Sequence, residues 1–436
     1  MKRIMTTGLA MRGAGVTLAA ALLLTGCGGA ESETRADGKT ELTISVWNLE
    51  GTPEFNALFD AYEAANPDID IKPVDILADD YAEKVTAMLA GGDTTDVLTM
   101  KNVTDYSRYA TRGQLADITD LAEATDQEAL AGLESFDQDG TYFALPYRQD
   151  FWALYYNKTV FDELGIEYPA DLTWDEYADL AEKITTDAAA AGLTPSTGPT
   201  VYGTYHHVWR SVVQAVSAAQ TGDDLLGGEY EFFEPYYERA LDLQDAGATL
   251  DFASAKSQQV TYQTMFSTGQ AAMLPMGSWY ISSLLASAAK GETTFEWGIA
   301  QMPQEDGADS VTTFGSPTAF AVNAKAKNTD AAKDFVEWAA GAEGAKAAAS
   351  IGTVPALQSD EITTAYFALE GMPQDDLSKA AFEPDEIVLE MPVSEVTSDV
   401  DQVLMEQHDL IMTASVSLED GIAEMGERVR NEALQN

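Results

Sequence analysis

The chain has 436 residues, with 72 Asp plus Glu against 24 Lys plus Arg and a formal charge of −48. That surplus excludes a nucleic-acid binder, which needs cationic surface to displace counterions from phosphates, and a polybasic grip on anionic lipid. A hydrophobic content of 45%, with 7 Trp, 18 Tyr and 16 Phe, excludes a disordered polyelectrolyte, and the length suits two to three ordinary domains or one large bilobed unit.

The first 26 residues hold Lys2, Arg3 and Arg12 and no acid, followed by an apolar run from Ala14 to Leu24. A positive segment before a short apolar one is the layout of a secretory signal. The run falls well short of the roughly 20 residues a membrane span needs. Leu24-Thr25-Gly26-Cys27 closes it and resembles the lipobox of bacterial lipoproteins, in which the Cys thiol accepts a diacylglycerol and cleavage precedes the Cys. The alternative is an ordinary signal peptide with a chance cysteine. Cys27 is the only cysteine, so neither an intrachain disulfide nor a multi-cysteine zinc site is possible. On this reading residues 1–26 are a signal peptide and 27–40 a lipid-anchored tether, Gly- and Glu-rich without apolar periodicity. The remaining chain carries 72 acidic and 21 basic residues, a charge of −51. No later stretch reaches about 18 apolar residues, so no membrane-spanning segment is expected there.

The first ordered element is the β-branched strand Leu42–Trp47. Phe55, Leu58, Phe59 and Tyr62 fall on one helical stripe, which Asn66-Pro67 ends. Ile69, Ile71 and Val74 read as the next strand. A second helix carries Tyr81, Val85, Met88 and Leu89, with Asp79 or Asp80 as its N-cap and Gly91-Gly92 as its stop. Val97–Met100 is then a short strand. This alternation argues for a parallel, doubly wound α/β sheet with ligands at the carboxyl ends of its strands. Tyr142–Asn157 is long and extended and can pass from one lobe to another. Thr173 and Glu176 form a capping box for a helix burying Tyr177, Leu180, Ala181 and Ile184. Further helices are expected at 206–219, 231–246 and 256–267. A strand, Gly turn and helix start follow in AAMLPMGSWYISSLL, then strands in FEWGIAQMP and FGSPTAFAVN, a helix over Thr329–Ala340 and a mostly helical C-terminus.

In this order, several segments carry a resemblance that runs from about residue 41 to the C-terminus. They are LTISVWN with its helix and Asn-Pro-Asp, DYAEKVTAMLAGGDTTDVLTM, FALPYRQDFWALYYNKTVFDELGI, LTWDEYADLAEKIT, GQAAMLPMGSWYISSL, FEWGIAQMP, FGSPTAFAVNAKAKNTDAAKDFVEWAA and SLEDGIAEMGERV. The chain resembles an extracellular solute-binding protein of an ABC importer, in the carbohydrate-binding family that includes maltose-binding protein. The resemblance implies a two-lobed periplasmic-binding-protein-like α/β fold with a ligand cleft between lobes and a hinge of crossing segments. Carried over, one lobe comprises 41–148 plus 268–318 and the other 149–267 plus 319–436. It also implies closure on the ligand by a hinge motion, docking on ABC permease subunits, and residence on the outer face of the bacterial cytoplasmic membrane. A monomer without cofactor is expected.

A sugar offers hydroxyls at its ring edge and C–H patches on its faces, so its site wants aromatic platforms beside amide, carboxylate and guanidinium groups. Trp47 and Asn48 end the first strand, with Glu50 close behind. Trp279, after Gly277-Ser278, resembles the family's GxW element that lines the sugar cleft. For each Trp the alternative is core packing. Asn102 and Asp105 follow the third strand in a loop that faces the cleft in this family, or are solvated loop groups. Here Asp93-Thr94-Thr95-Asp96 departs from the family's Gly/Pro-Asp pattern. Arg148 and Asp150 sit in the crossing segment and either touch ligand or pair with each other. Gly315 and Ser316 form a small-residue turn that serves ligand approach or only the hinge. Trp209 is a candidate platform from the second lobe. His206-His207 carries no metal reading, because adjacent helical residues point about 100° apart. Acidic pairs such as Asp223-Asp224 read as solvated faces or caps.

Three functions compete. The first binds a neutral mono- or oligosaccharide for an importer. The second is a surface glycoside hydrolase, which needs two carboxylates at a set separation that no segment singles out. The third binds amino acids, peptides or polyamines. GxSxG, HExxH and Walker A motifs are absent, and no catalytic residue is assigned.

Overall fold

Two sheets, each wrapped in helices, organise residues 38–434, the part of the chain that the computed structural model describes. The signal segment 1–26 and the lipobox cysteine Cys27 lie outside it. The expected tether ends earlier than 40, since Thr40 already opens the first strand.

The first sheet has the order 69–76, 40–47, 97–100, 317–322, 144–149. Thr40–Trp47 runs parallel to Ile69–Ile76 and to Val97–Met100, while Pro317–Val322 lies antiparallel to both of its neighbours. Four strands thus run in the expected common direction, and only Pro317–Val322, inserted between Val97–Met100 and Ala144–Gln149, is reversed. Leu42, Ile44 and Val46 of the central strand are fully buried. The helix Pro53–Ala65 starts with Pro in its first turn, where a missing N–H costs nothing, and buries the stripe Phe55, Leu58, Phe59 and Tyr62. The helix Tyr81–Gly91 stops at Gly92, whose φ of 77° is a left-handed conformation that favours glycine. The helix Thr329–Ala340 seals this core, with the Phe335 ring 5.1 Å from Tyr62 and 5.0 Å from Phe320.

The second sheet has the order 297–300, 152–157, 271–277, 202–204. Every residue of Trp152–Asn157 and of Ala271–Gly277 is buried. A continuous apolar run is what a strand covered on both faces requires. The helix Trp174–Ala191 begins with both hydrogen bonds of the Thr173/Glu176 capping box. It packs so closely on the strand Tyr202–Thr204 that a Cβ at Gly203 would stand 1.8 Å from the Ala181 carbonyl oxygen.

Two expectations need correcting. The helices expected over 206–219 and 256–267 are shorter and broken: Gln214–Thr221 is helical after a loop, and Phe252–Ser257 and Tyr262–Ser267 are separate. More importantly, 268–318 does not belong with the first lobe. Its strands Ala271–Gly277 and Trp297–Ala300 pair with Trp152–Asn157 in the second sheet. Conversely, Pro317–Val322 and Thr329–Ala340 pack in the first core. The chain crosses between the sheets at Gln149–Trp152, again at Gly315–Pro317, and a third time after Ala356, the last residue of the first core, before Ile362 of the second. Thr268-Gly269-Gln270 is no crossing. It is a tight turn joining the helix Tyr262–Ser267 to the next strand, with φ 77° at Gly269.

Candidate functional site

The first crossing carries a buried charge cluster. Pro53 starts a helix directly beyond the first strand, which puts Glu54 in the first helical turn facing the crossing. Glu54, Arg148 and Asp150 are 1%, 5% and 2% exposed. The Arg148 guanidinium gives Nη1 to both Glu54 oxygens at 2.6 and 2.7 Å, and its Nε meets Asp150 Oδ2 at 2.9 Å and Thr318 Oγ1 at 3.0 Å. The Tyr147 hydroxyl donates to Glu54 at 2.8 Å, and the Ser278 hydroxyl donates to Asp150 Oδ1 at 2.9 Å. Burial opposes the Arg148 charge, but Asp150 and Glu54 outweigh it and its pKa is raised. Burial pushes Asp150 up to about 6, with Arg148 pulling down and Glu54 pushing up. Arg148 and Asp150 do pair, as one sequence alternative had it, and Glu54 is the partner that the sequence reading missed.

The other crossing packs against this one. A Cβ at Gly315 would stand 1.9 Å from the Asp150 carbonyl oxygen, and the Asp150 N–H donates to the Ser316 carbonyl at 3.2 Å. The small residues at 315 and 316 are therefore the contact surface of two crossing segments.

At the end of the first sheet, a cavity of about 110 Å³ is lined by Thr99, Lys101, Asn102, Asp105 and Tyr109 of the first lobe and Asp401 of the second. Asn102 and Asp105 thus line one cavity. The Asn102 side-chain oxygen also accepts from the Thr104 N–H at 3.0 Å, while burial pushes the Asp105 pKa up. Lys101 was missed in the sequence. Its ammonium lies 5.5 Å from the Trp47 ring centroid and donates to the Ala78 carbonyl at 3.1 Å, and its pKa is lowered by burial. Glu390, within electrostatic reach of Lys101, has its pKa raised by burial against the pull of Arg210 and holds the Ser211 hydroxyl. Arg210 pairs with Asp401 at 2.5 Å, and Arg108 reaches from the first lobe to Asp399 of the second at 2.6 Å.

Trp47 and Asn48 are placed differently from the sequence expectation. The Trp47 ring is 7% exposed, edge-packed on Phe55 and Tyr81 and covered by Lys101 and Arg148, so it belongs to the core. Asn48 takes a φ of 42°, and its side-chain oxygen accepts the Ala78 N–H at 3.1 Å, so it serves as a turn residue. Glu50 is exposed. In the second lobe, by contrast, Trp209 and Trp279 are half-buried, 6.2 Å apart, and the half-buried Tyr262 ring sits 5.6 Å from Trp209. Tyr262 was also missed. Burial pushes its hydroxyl up to about 12, and it lies within electrostatic reach of Arg148, Glu54 and Asp150. Lys101 of the cavity and Tyr262 of the aromatic cluster thus both lie within electrostatic reach of Arg148 at the hinge.

His206, His207 and His408 line one small cavity inside the second lobe, with Val212, Phe252 and Met412. Among the described residues, no group of three His, Cys, Asp or Glu is placed to hold a metal ion. His206 and His207 lie in a loop, not on the expected helix.

Two consequences are measurable. Arg148→Met leaves two carboxylates buried without their cation and should cost about 3–5 kcal/mol in urea unfolding, against under 1 kcal/mol if the cluster is solvated. Burial pushes His206 and His207 down to about 4 and His408 to about 3. Above the unfolded value of about 6.5 these imidazoles do not affect the pH dependence. As pH falls through 6.5 toward 3, the unfolded chain takes protons that the folded one refuses, and stability drops. His408→Gln, which keeps a partner for the Tyr237 hydroxyl 2.9 Å away, should flatten the fall of the urea midpoint between pH 6.5 and 4. Equal slopes in both proteins would refute a buried neutral His408.

Known proteins share this architecture. Residues 47–346 match the family model described as bacterial extracellular solute-binding protein. The multiple sugar-binding protein of Streptococcus mutans is 24% identical over 338 residues, covering 74% of this chain and 76% of that one. The crystal structure of a sugar transporter from Rhizobium etli, in an open conformation, is 35% identical, with a TM-score of 0.72 over 90% of this chain and 99% of that one. An ABC substrate-binding protein from Listeria monocytogenes, solved with cycloalternan, is 22% identical and shares the fold at a TM-score of 0.76 over 90% of this chain and 98% of that one. With a matched segment that spans most of the chain and the crossings at Gln149–Trp152 and Gly315–Pro317, the chain belongs to the bacterial extracellular solute-binding proteins.

Proposed function

We propose that the protein binds a neutral mono- or oligosaccharide outside the cell and delivers it to the permease subunits of an ABC importer, without chemical change to the sugar. The observation that carries this reading is the half-buried trio Trp209, Tyr262 and Trp279 within electrostatic reach of the hinge, together with a polar cavity that both lobes line. Aromatic faces accept the C–H patches of a sugar ring, and Lys101, Asn102, Asp105 and Asp401 offer donors and acceptors to its hydroxyls. The relatives named or solved with sugars support the ligand class. Arg148 and Asp150 act in this reading through the hinge, as do Gly315 and Ser316. Closure about the crossings brings Lys101 and Asp105 toward Glu390 and Asp401 and sequesters the sugar.

For location, we propose that the thiol of Cys27 carries a diacylglycerol and holds the monomeric protein on the outer face of the cytoplasmic membrane. The acid-free segment before it and the small residues Thr25 and Gly26 support this reading.

Isothermal titration with maltose, maltotriose, an arabino-oligosaccharide, mannitol, glutamate and spermidine tests the ligand class. At least one sugar should bind, and Trp209→Ala and Trp279→Ala should each weaken it by on the order of tenfold, as expected for loss of an aromatic anchor. Binding of spermidine alone, or release of reducing ends from an oligosaccharide, would overturn the reading. For the anchor, Cys27→Ala should shift the protein from the membrane fraction to the medium and abolish labelling by a fatty-acid probe. Unchanged labelling would sink it.

A further inference from the structure

We infer that Gly277 and Ser278 are positioning residues: together they set the Trp279 ring as a platform in the unliganded protein and tie it to the hinge carboxylate Asp150. This rests on the proposed role of Trp279 in sugar binding. The strand Ala271–Gly277 ends at Gly277, and the chain turns at once into the helix Tyr280–Ala289, so the Trp279 ring folds back over the strand end. A Cβ at Gly277 would stand 1.9 Å from Trp279 Cζ3, 2.2 Å from Cη2 and 2.3 Å from Cε3. Real contacts of that kind do not occur, so any side chain at 277 must displace the indole. Gly277 is not among the positive-φ glycines. Its backbone suits any residue, and the demand for glycine comes from the ring alone.

The ring has little freedom to move aside within the lobe. Trp152 meets it edge-on at 5.7 Å and 85°, Trp209 stands at 6.2 Å, and its indole N–H donates to the Tyr262 hydroxyl. The backbone beneath is equally fixed. The Ser278 N–H donates to the Phe151 carbonyl at 2.8 Å, its hydroxyl donates to Asp150 at 2.9 Å, and it accepts from the Phe151 N–H at 3.3 Å. Through these bonds the platform is registered to the crossing segment, and through Asp150 to Arg148 and Glu54. A ring already held in place gives up less freedom when a ligand stacks on it, which is how preorganisation raises affinity.

The test uses the full chain labelled with 5-fluorotryptophan. In fluorine NMR without ligand, the resonance assigned to Trp279 by its loss in Trp279→Ala should move in Gly277→Ala and, by less, in Ser278→Ala. Titration with maltotriose and the other sugars above should show Gly277→Ala weakening the tightest of them by on the order of tenfold, as Trp279→Ala does. Because Gly277 acts through Trp279, adding Gly277→Ala to Trp279→Ala should cost nothing further. An unmoved resonance, or an additive double variant, overturns the inference while leaving the sugar reading intact. If no sugar binds the wild-type protein, the sugar reading fails, and the fluorine spectra of Gly277→Ala and Ser278→Ala still decide the positioning. Ser278→Ala adds no atoms, so it keeps the test open should Gly277→Ala not fold.

Discussion

One guanidinium between two carboxylates holds the hinge. Removing three charges from water is expensive, and Coulomb attraction offsets that cost only when the geometry and the remaining hydrogen bonds are complete. Here they are: Glu54 accepts from Arg148 and from Tyr147, Asp150 from Arg148 and Ser278, and Arg148 also meets Thr318. Each partner comes from a different place in the chain. Glu54 lies in the first turn of the first helix, Arg148 near the end of a strand of the first sheet, Asp150 in the crossing, and Ser278 just after a strand of the second sheet. The cluster therefore defines where the two sheets meet, and it does so with directional bonds that an apolar plug would not provide. Burial, with Glu54 adding to it, pushes Asp150 up to about 6 even beside its cation.

The ligand-facing groups inherit their positions from that junction. Trp47 is kept in the core partly because Arg148 and Lys101 lie on its ring, and the same Lys101 then projects into the inter-lobe cavity. Ser278 is anchored to Asp150, and Trp279 follows it directly. A bonded path thus runs from the hinge carboxylate to an aromatic group proposed to touch the ligand. Whether such a path couples closure to binding depends on the two arrangements of the crossings, and the close packing of Gly315 on Asp150 leaves them no slack.

Local structure was legible wherever it follows from period and caps. The stripe from Phe55 to Tyr62, the capping box at Thr173 and the stop at Gly92 needed only short-range physics. Lobe membership was not legible in the same way. A buried strand such as Ala271–Gly277 is apolar in either sheet, and its partner Trp152–Asn157 is more than a hundred residues away. Two crossings were placed within a few residues, because Arg148-Gln149-Asp150 and Gly315-Ser316 mark them with charge and small residues. The cut at 267/268, carried over from the resemblance, falls at an ordinary turn, and it moved 268–318 into the wrong lobe. At the site, Asn102 and Asp105 could be found from their place after a strand. A Lys ending the same strand in so acidic a chain was an equally readable signal for Lys101. Glu390 follows a short, largely exposed strand, and nothing local marks it.

The acidity met at the outset acquires a structural consequence at the cavity. Two lobes that both carry excess negative charge repel each other, more strongly as they approach. The charges that the two lobes bring within reach of each other are a selected subset: Lys101 with Glu390, and Arg108 on Asp399, set against the pair Asp105 and Asp401. Arg210 neutralises part of the second lobe's share by pairing with Asp401. Three of the chain's cations, Lys101, Arg108 and Arg210, thus stand where approach would otherwise be costly. Pairs at an opening cleft are hydrated in the open state and partly desolvated in the closed one, so their individual gain is small. Their joint effect is to remove a repulsive term from closure, which leaves the free energy of closing to be set by the sugar that fills the gap.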